Sequence, residues 1–229
     1  MKLVLFDCDG TLVDSQTIIA EAMGLAFAEH GLDRPAPERT RLIIGLSLPL
    51  AIAVLIDEPL GPRAEAIADS YRRNFMGMRS RPGFFEPLFP GAAEAVHALS
   101  RRDDVRLGMV TGKSRRGVAA VCREHGFEGL FEVVRTADDC PSKPHPAMVL
   151  ECCSEIGIAP ADTFVVGDTR YDMEMAVAAG AAPIGVSWGY HAADDLLLTG
   201  AERVIEGFPE LFEVIDEGVV EREAAFDAA

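Results

Sequence analysis

The clearest candidates for chemistry are two aspartates near the start of the chain, Asp7 and Asp9. They directly follow an apolar run, residues 3–6, and directly precede Gly10. The run predicts a strand buried on both faces, and side chains at positions i and i+2 of a strand point to the same side. Both carboxylates are therefore expected to face one pocket, where Gly10 allows a sharp turn close to a ligand. Close carboxylates repel each other, so such a pocket would need a bound cation, or one of the two acids would be protonated. The alternative to a pocket is an acidic loop after the strand, with both carboxylates in solvent.

A hydroxyl and a glycine follow the apolar run 105–110, which predicts a second buried strand. These residues, Thr111 and Gly112, precede a helix predicted at 115–125. A threonine hydroxyl and free backbone N–H groups at the start of a helix can bind a phosphoryl oxygen. The alternative is that Thr111 only caps the helix, but Ser114 is better placed for that role.

Lysine is rare in this acidic chain, which contains only Lys2, Lys113 and Lys143. Pro144 and Pro146 restrict the backbone around Lys143 and would hold its ammonium in place. A lysine fixed in this way calls for an explanation, whereas the alternative is the solvated loop lysine that is usual in proteins.

Two more aspartates, Asp168 and Asp172, follow the apolar run 163–166 within the sequence GDTRYD. Asp168 is expected at the end of a strand and Asp172 in the first turn of the next helix. Mg²⁺ prefers hard oxygen ligands and usually keeps several waters, so one carboxylate could bind the ion directly while the second holds a water. Helix capping by an acid is the alternative, since Asp favours the first turn of a helix.

Residues 7–15, DCDGTLVDS, closely resemble the first motif of the haloacid dehalogenase superfamily of phosphotransferases, DxDGTLxDS. In that family the first aspartate is the nucleophile and the second is the general acid/base. The resemblance therefore implies these roles for Asp7 and Asp9. A haloacid dehalogenase itself would lack the second aspartate, because a halide leaving group needs no proton.

The later clusters resemble the remaining three motifs of the family, in order. Thr111 and Gly112 match the second motif, which implies phosphate binding. Lys143, in SKPHP, matches the third motif, whose ammonium offsets the charge of the nucleophile and the phosphate. GDTRYD matches the fourth motif and implies a magnesium site. The implied ligands are the Asp7 carboxylate, the Asp9 backbone carbonyl and Asp168, with Asp172 acting through water.

The resemblance implies a Mg²⁺-dependent phosphatase that hydrolyses a small phosphorylated metabolite through an aspartyl-phosphate, most like the phosphoglycolate phosphatase branch. A β-phosphoglucomutase-like phosphomutase shares every core motif and is an alternative, as is a pyrophosphatase or nucleotide phosphatase of the same superfamily. A phosphonate hydrolase would need a lysine between residues 16 and 85, where this chain has none. A non-catalytic phosphate-binding protein would need only the pocket, so intact Asp7 and Asp9 argue against it.

Apolar runs alternate with helical patterns from residue 90 onward, which predicts an α/β fold with a parallel sheet. The expected architecture is a Rossmann-like core of the haloacid dehalogenase type, with helices on both faces of the sheet. The predicted strands are residues 3–6, 105–110, 131–134, 163–166, 182–186 and 203–205.

The segment between the first two strands contains no convincing strand and shows helical spacing, with breaks predicted at Gly45 and Pro49. The resemblance identifies it as a helical cap that closes over the active site. The predicted domains are the α/β core, 1–15 and 86–229, and the all-α cap, 16–85. Cap arginines are candidates for holding a second anionic group of the substrate: Arg41, Arg72, Arg73, Arg79 and Arg81.

Composition narrows the possible partners and compartment. The chain has 229 residues, enough for one α/β domain and a smaller insertion, and a formal net charge of −16 that disfavours nucleic acid and anionic membranes. No apolar run approaches the roughly 20 residues of a transmembrane helix, and the early first strand leaves no room for a signal peptide. Five cysteines without a CxxC pair indicate reduced thiols. We expect a cytoplasmic monomer or homodimer.

Overall fold

The computed structural model describes residues 1–226. Its strands are β1 (Lys2–Phe6), β2 (Val105–Val110), β3 (Val133–Arg135), β4 (Thr163–Gly167), β5 (Ala182–Val186) and β6 (Arg203–Ile205). Its α-helices are α1 (Gln16–Glu29), α2 (Pro37–Arg41), α3 (Leu48–Leu55), α4 (Pro62–Arg79), α5 (Ala92–Leu99), α6 (Arg115–His125), α7 (Ala147–Ile156), α8 (Arg170–Ala179), α9 (Ala193–Leu198) and α10 (Phe208–Phe226).

The strands form one parallel sheet in the order β3-β2-β1-β4-β5-β6. Alternate residues of β1 pack on opposite faces: Val4 and Phe6 contact the cluster that includes α5, α6 and α10, while Leu3 and Leu5 contact α7 and α8. Helices therefore cover both faces, which confirms the predicted Rossmann-like α/β fold. Strand order reverses around β1, and ligands of such sheets bind at the carboxyl ends of the strands beside this reversal.

Helices α1–α4 occupy the chain between β1 and α5 and pack around a second apolar cluster, to which Tyr190 of the loop after β5 also contributes. Its buried side chains include Met23, Phe27, Ile52 and Ile67. The predicted break at Gly45 falls in the loop between α2 and α3, where its φ is 103°. The break predicted at Pro49 is wrong, because α3 begins at Leu48 and proline is tolerated in the first turn of a helix. The domain boundaries at 15/16 and 85/86 stay a prediction.

The two chain segments that connect α1–α4 to the sheet run side by side. Val13 and Leu88 form an antiparallel bridge. On either side of it, the Asp14 N–H donates to the Pro87 carbonyl at 2.8 Å, and the Phe89 N–H donates to the Leu12 carbonyl at 2.9 Å. The inserted helices therefore leave and rejoin the sheet at one point.

All six predicted strands are present, with differences at their ends: β1 begins one residue earlier than predicted, at Lys2, and β4 ends one residue later, at Gly167. The third strand lies at Val133–Arg135 and not at 131–134; Phe131 precedes the strand, and its ring packs edge-on against Phe127. All five cysteines are free thiols. Within the described residues, the helices are too short or too polar to cross a membrane.

Candidate active site

The structure brings the predicted site residues together at the carboxyl ends of β1, β2 and β4. A cavity of about 680 Å³ lies between this edge of the sheet and helices α1–α4. Asp7, Asp9, Thr111 and Gly112 line it directly. Lys143, Asp168 and Asp172 lie behind Asp7 and are fully buried.

Lys143 joins two of the aspartates. Its Nζ lies 2.8 Å from Asp7 Oδ1 and donates a hydrogen bond of 2.5 Å to Asp172 Oδ1. Burial alone would lower the pKa of Lys143, but the charges of Asp172 and Asp7 outweigh it and raise that pKa above its usual value. The loop lysine is therefore a buried, permanently charged partner of the acidic cluster, and the solvated alternative is excluded by its position.

The acids around Lys143 carry more negative charge than one ammonium can offset. Burial raises the pKa of Asp7 to about 6, although Lys143 lowers it. Burial, and then the charges of Asp172 and Asp7, raise the pKa of Asp168 well above its usual range. For both groups burial is the first cause and repulsion by the neighbouring carboxylates adds to it, so further positive charge would stabilise the cluster.

The same three acids fit a hard metal ion. One oxygen from each of Asp7, Asp168 and Asp172 lies within 4.8 Å of the others. Both oxygens of Asp7 are buried; Oδ1 faces the Lys143 ammonium at 2.8 Å, and Oδ2 has no hydrogen-bond partner among the described residues. Buried polar atoms are rarely left unpaired, and carboxylate oxygens are the ligands that Mg²⁺ and Ca²⁺ prefer. The Asp9 backbone carbonyl stays a predicted ligand.

Asp168 is fixed by its neighbours on the β1 and β5 loops. Thr11 Oγ1 donates to Asp168 Oδ1 at 3.1 Å, and the Tyr190 N–H donates to Asp168 Oδ2 at 2.9 Å. Gly10, with a φ of 95°, lets the backbone pass directly over the Asp168 carboxylate, where a Cβ would collide with it. The sequence motif thus needs its glycine for conformation and for space.

Asp172 combines the two roles that the sequence left open. Its Oδ2 accepts hydrogen bonds from the Thr169 N–H at 3.1 Å and from Thr169 Oγ1 at 2.6 Å, which together cap α8. Its Oδ1 holds Lys143. Both oxygens are therefore engaged within the chain, and Asp172 fixes the ammonium of Lys143 relative to α8.

Thr111 is buried beside the cavity, and Ser114 is the N-cap of α6, as predicted. Ser114 Oγ accepts from the Gly117 N–H at 3.2 Å, which leaves the Thr111 side chain outside the cap. Thr111 Oγ1 accepts from the Lys113 N–H at 3.2 Å. Gly112 lies against the carbonyl oxygens of Gly45 and Leu46, which a Cβ there would approach to 2.7 Å.

A second lysine cluster was not predicted from the sequence. Lys113 Nζ donates to Asp9 Oδ1 at 2.7 Å and to Glu86 Oε1 at 3.0 Å. Ser15 Oγ also donates to Asp9 Oδ1, at 2.6 Å. Burial alone would lower the pKa of Lys113, but Asp9 and then Glu86 are among the charges that raise it above its usual value. The rarity of lysine in the chain was the one available signal for Lys113.

Glu86 connects this cluster to the inserted helices. Its side chain is fully buried, and Oε2 pairs with the Arg79 guanidinium at the end of α4. The His125 ring contacts the Glu86 carbonyl at 2.8 Å. A chain of alternating charges, here called the Arg79–Asp9 relay, therefore runs from Arg79 through Glu86 and Lys113 to Asp9. Nothing in the local sequence around Glu86 distinguishes it from a surface acid.

The sequence model of the haloacid dehalogenase-like hydrolase family matches residues 1–180. The chain belongs to the haloacid dehalogenase-like hydrolases. A phosphoglycolate phosphatase of Chromobacterium violaceum is 32% identical over 226 residues, which cover 95% of this chain and 98% of that protein. The chain is thus a hydrolase of the phosphatase type.

Solved structures agree on the fold of this haloacid dehalogenase-like hydrolase. A predicted phosphoglycolate phosphatase from Haemophilus somnus superposes with a TM-score of 0.81 at 23% identity, covering 93% of this chain and 97% of that one. A candidate β-phosphoglucomutase from Bacteroides vulgatus gives a TM-score of 0.79 at 23% identity, with 95% and 90% covered. At these identities the likeness shows the shared fold alone.

The structure separates the five candidate cap arginines into those at the cavity and those away from it. Of the five candidates, only Arg72 and Arg79 line the cavity of this hydrolase. Arg79 is paired with Glu86, and Arg72 donates to Asp69 Oδ1 at 2.7 Å. Arg116, on α6, also lines the cavity. The cavity is thus lined by two of the candidate cap arginines and by Arg116, which was not among the candidates.

Proposed function

We propose that this chain is a Mg²⁺-dependent phosphatase that hydrolyses a small-molecule phosphomonoester through an aspartyl-phosphate. The observation that carries the proposal is the carboxylate of Asp7, which is buried, opens on the cavity beside Asp9 and keeps Oδ2 without a hydrogen-bond partner among the described residues, while Lys143 holds Oδ1. A nucleophile needs such a free oxygen. The named relatives make phosphoglycolate the first substrate to assay.

In the first half-reaction an Asp7 oxygen attacks phosphorus, and the bond from phosphorus to the ester oxygen breaks. Asp9 donates its proton to that oxygen, and the alcohol leaves. In the second half-reaction Asp9 takes a proton from water, whose oxygen attacks phosphorus and displaces Asp7. The net reaction converts the phosphomonoester and water into the alcohol and phosphate, with both aspartates restored.

The charge of the phosphoryl group is offset by groups already positioned around Asp7. Lys143 Nζ lies 2.8 Å from Asp7 Oδ1, the carboxylate of the proposed nucleophile. Thr111 and the N–H groups near Gly112 lie in the loop that leads into α6, and the start of a helix is a favourable place for phosphoryl oxygens. Asp7 and Asp168 would hold the metal, together with the Asp9 carbonyl, while Asp172, whose oxygens are engaged by Thr169 and Lys143, would act through water. When bound, Mg²⁺ supplies the positive charge that reduces repulsion between the anionic nucleophile and the anionic phosphate.

Residues 16–85 would act as the cap that covers this chemistry. Support comes from the separate apolar cluster of α1–α4 and from the position of the cavity between these helices and the sheet. A closed cap excludes bulk water and strengthens the electrostatic contacts inside the site. A cytoplasmic location, a monomeric or homodimeric state and the absence of nucleic-acid or membrane partners stay predictions.

The test uses phosphate release from p-nitrophenyl phosphate and from phosphoglycolate, with and without MgCl₂. Asp7→Asn keeps the shape of the side chain but removes the nucleophile, so turnover should fall below detection while the melting curve stays cooperative. Beryllium fluoride, which mimics the acyl-phosphate, should form its adduct on Asp7. An adduct on Asp9, or full activity in Asp7→Asn, would refute the assignment. A phosphomutase would return a phosphorylated isomer instead of free phosphate.

A further inference from the structure

The cavity extends well beyond the space that a phosphoryl group needs. Its volume of about 680 Å³ falls within the roughly 300–1,000 Å³ typical of sites for drug-sized organic ligands. Phosphoglycolate adds only a two-carbon acid to its phosphate. The part lined by α1–α4 and their loops is here called the cap-side chamber, and most of its walls are apolar. Lining side chains include Ile19, Met23, Ile44, Leu46, Tyr71 and Phe75.

Two half-buried aromatic rings form the wall of the cap-side chamber nearest to the chemistry. Tyr71 and Phe75 lie one turn apart on α4, and their rings stack with centroids 5.7 Å apart. Phe84 supports Phe75 edge-on at 6.2 Å. Lys113 Nζ lies 5.7 Å from the Phe75 centroid, which places this ring directly beside the cluster that holds Asp9. An alcohol released at Asp9 would therefore leave along an aromatic wall.

The charges around the cavity give little support for a second anionic group on the substrate. Four cationic side chains line it, and three of them are already paired: Arg72 with Asp69, Arg79 with Glu86, and Lys113 with Asp9 and Glu86. The fourth, Arg116, is exposed and, among the described residues, makes no ion pair; its guanidinium donates to Met76 Sδ at 3.4 Å. Among the described residues, Arg116 is thus the one unpaired cation that lines the cavity, and it is exposed; in the buried part of the cap-side chamber a carboxylate would meet paired cations and apolar walls, which is costly.

We propose that the physiological substrate is a phosphomonoester whose alcohol carries an uncharged aromatic ring, bound in the cap-side chamber against Tyr71 and Phe75. The inference rests on the proposed phosphatase function and adds the class of leaving group. Aromatic side chains bury large apolar areas, and stacked or edge-on ring pairs add to that gain. The phosphate end of the substrate is then recognised by polar groups of the sheet edge and the ring end by the inserted helices.

The experiment compares 2-phenylethyl phosphate, ethyl phosphate and phosphoglycolate with the full chain and saturating MgCl₂. The first two esters release alcohols of similar basicity, so their difference reports binding of the ring and not leaving-group chemistry. We expect kcat/KM for 2-phenylethyl phosphate to exceed that for either other substrate by about tenfold or more, the factor that corresponds to one well-buried ring contact.

Variants of Phe75 locate the preference. Phe75→Ala should reduce the ratio of kcat/KM between 2-phenylethyl and ethyl phosphate roughly three- to tenfold, the value of an aromatic pair. Phe75→Leu, which keeps apolar bulk but no ring, should give an intermediate ratio and guards against a folding defect in the alanine variant. Phe85→Ala is the matched control, because the Phe85 ring packs against His125 and does not line the cavity. It should leave the ratio unchanged.

Different results would contradict the aromatic substrate class and the proposed phosphatase function. If phosphoglycolate or ethyl phosphate is hydrolysed at least as efficiently as the ring-bearing ester, or if Phe75→Ala leaves the ratio unchanged, the aromatic class is wrong while the phosphatase stands. If no phosphomonoester, p-nitrophenyl phosphate included, releases phosphate with MgCl₂, the proposed function itself is wrong.

Discussion

Two lysines hold the two catalytic candidates of the site, and they do so in different ways. Lys143 lies between Asp7 and Asp172, with all three side chains buried and all three residues supplied by the α/β core. Lys113 lies between Asp9 and Glu86, and Glu86 continues to Arg79 on the inserted helix α4. The first cluster is internal to the core, whereas the second crosses to the inserted helices.

The difference separates the two tasks of the proposed reaction. The nucleophile must meet phosphorus in a fixed geometry in both half-reactions, and the Lys143 cluster supplies a rigid setting. The general acid/base must first give a proton and then take one, with the alcohol replaced by water in between. Tying Asp9 to α4 through the Arg79–Asp9 relay connects that exchange to the position of the inserted helices.

The largest effect is expected from Lys143→Met, which removes the buried ammonium from between two carboxylates. Breaking a buried ion pair by removing one partner costs about 3–5 kcal/mol, and we expect a loss of that size in the free energy of unfolding by urea. The kcat should fall by roughly 100- to 1,000-fold on every phosphomonoester, because charge stabilisation of the phosphoryl group is lost.

Lys2→Met is the matched control for this substitution. Lys2 Nζ donates to the Ile215 carbonyl at 2.7 Å, in the core but away from the site. We expect its kcat to stay within about twofold of the unaltered protein, the usual scatter for a substitution that touches no site residue. Equal activity losses in the two variants would show that Lys143 acts only through stability.

An intermediate effect, dependent on the substrate, is expected from Lys113→Met. Misplacing a general acid costs about 10- to 100-fold in kcat when the leaving group needs a proton, as in ethyl phosphate. p-Nitrophenyl phosphate releases a stable phenolate, so its kcat should fall much less. The measurement is the ratio of the two losses. If kcat fell equally on the two substrates, Lys113 would act on the phosphoryl group and not on the general acid Asp9. Its role would then not differ from that of Lys143.

The smallest effect is expected where the Arg79–Asp9 relay crosses to the inserted helices. Glu86→Gln and Arg79→Met should each lower kcat/KM about three- to tenfold, and the double variant should lose less than the sum. A double-mutant cycle on urea unfolding should give a coupling of roughly 0.5–3 kcal/mol between these contacting residues. If the effects of Glu86→Gln and Arg79→Met on the free energy of unfolding simply added, the Arg79–Glu86 ion pair would not link the core to α4.

Sequence reasoning recovered most of the sheet and the acids at its edge for physical reasons. Buried parallel strands are nearly continuous apolar runs, so β1, β2, β4 and β5 are visible without context. The acids and Lys143 directly follow such runs or lie between prolines, which fixes their location to within a residue. The helix break predicted at Pro49 was wrong because proline is common both where helices end and in their first turn. Which of the two applies depends on whether the residues before the proline are helical, and here α3 begins only at Leu48.

The Arg79–Asp9 relay could not be found in the same way. Glu86 and Lys113 are 27 positions apart in the chain, and they meet only because the segment after α4 returns beside α6. Neither residue follows a diagnostic pattern, since acids and lysines outside strands are usually solvated. The sequence likewise showed no sign that Arg72 and Arg79 form ion pairs with Asp69 and Glu86. Arginine spacing on a helix shows which residues share a face, but not which partners neutralise them.

The side-by-side connections at Val13 and Leu88 have a consequence for how such a protein can change over generations. An insertion whose two ends are already hydrogen-bonded to each other closes a loop without moving any strand of the sheet. Each doubling of its length then adds only about 0.6 kcal/mol of closure entropy. Helices that pack around a second apolar cluster offset that cost. The chain connections therefore allow this segment to change in length and sequence while the strand ends that carry Asp7, Thr111 and Asp168 keep their places in the sheet.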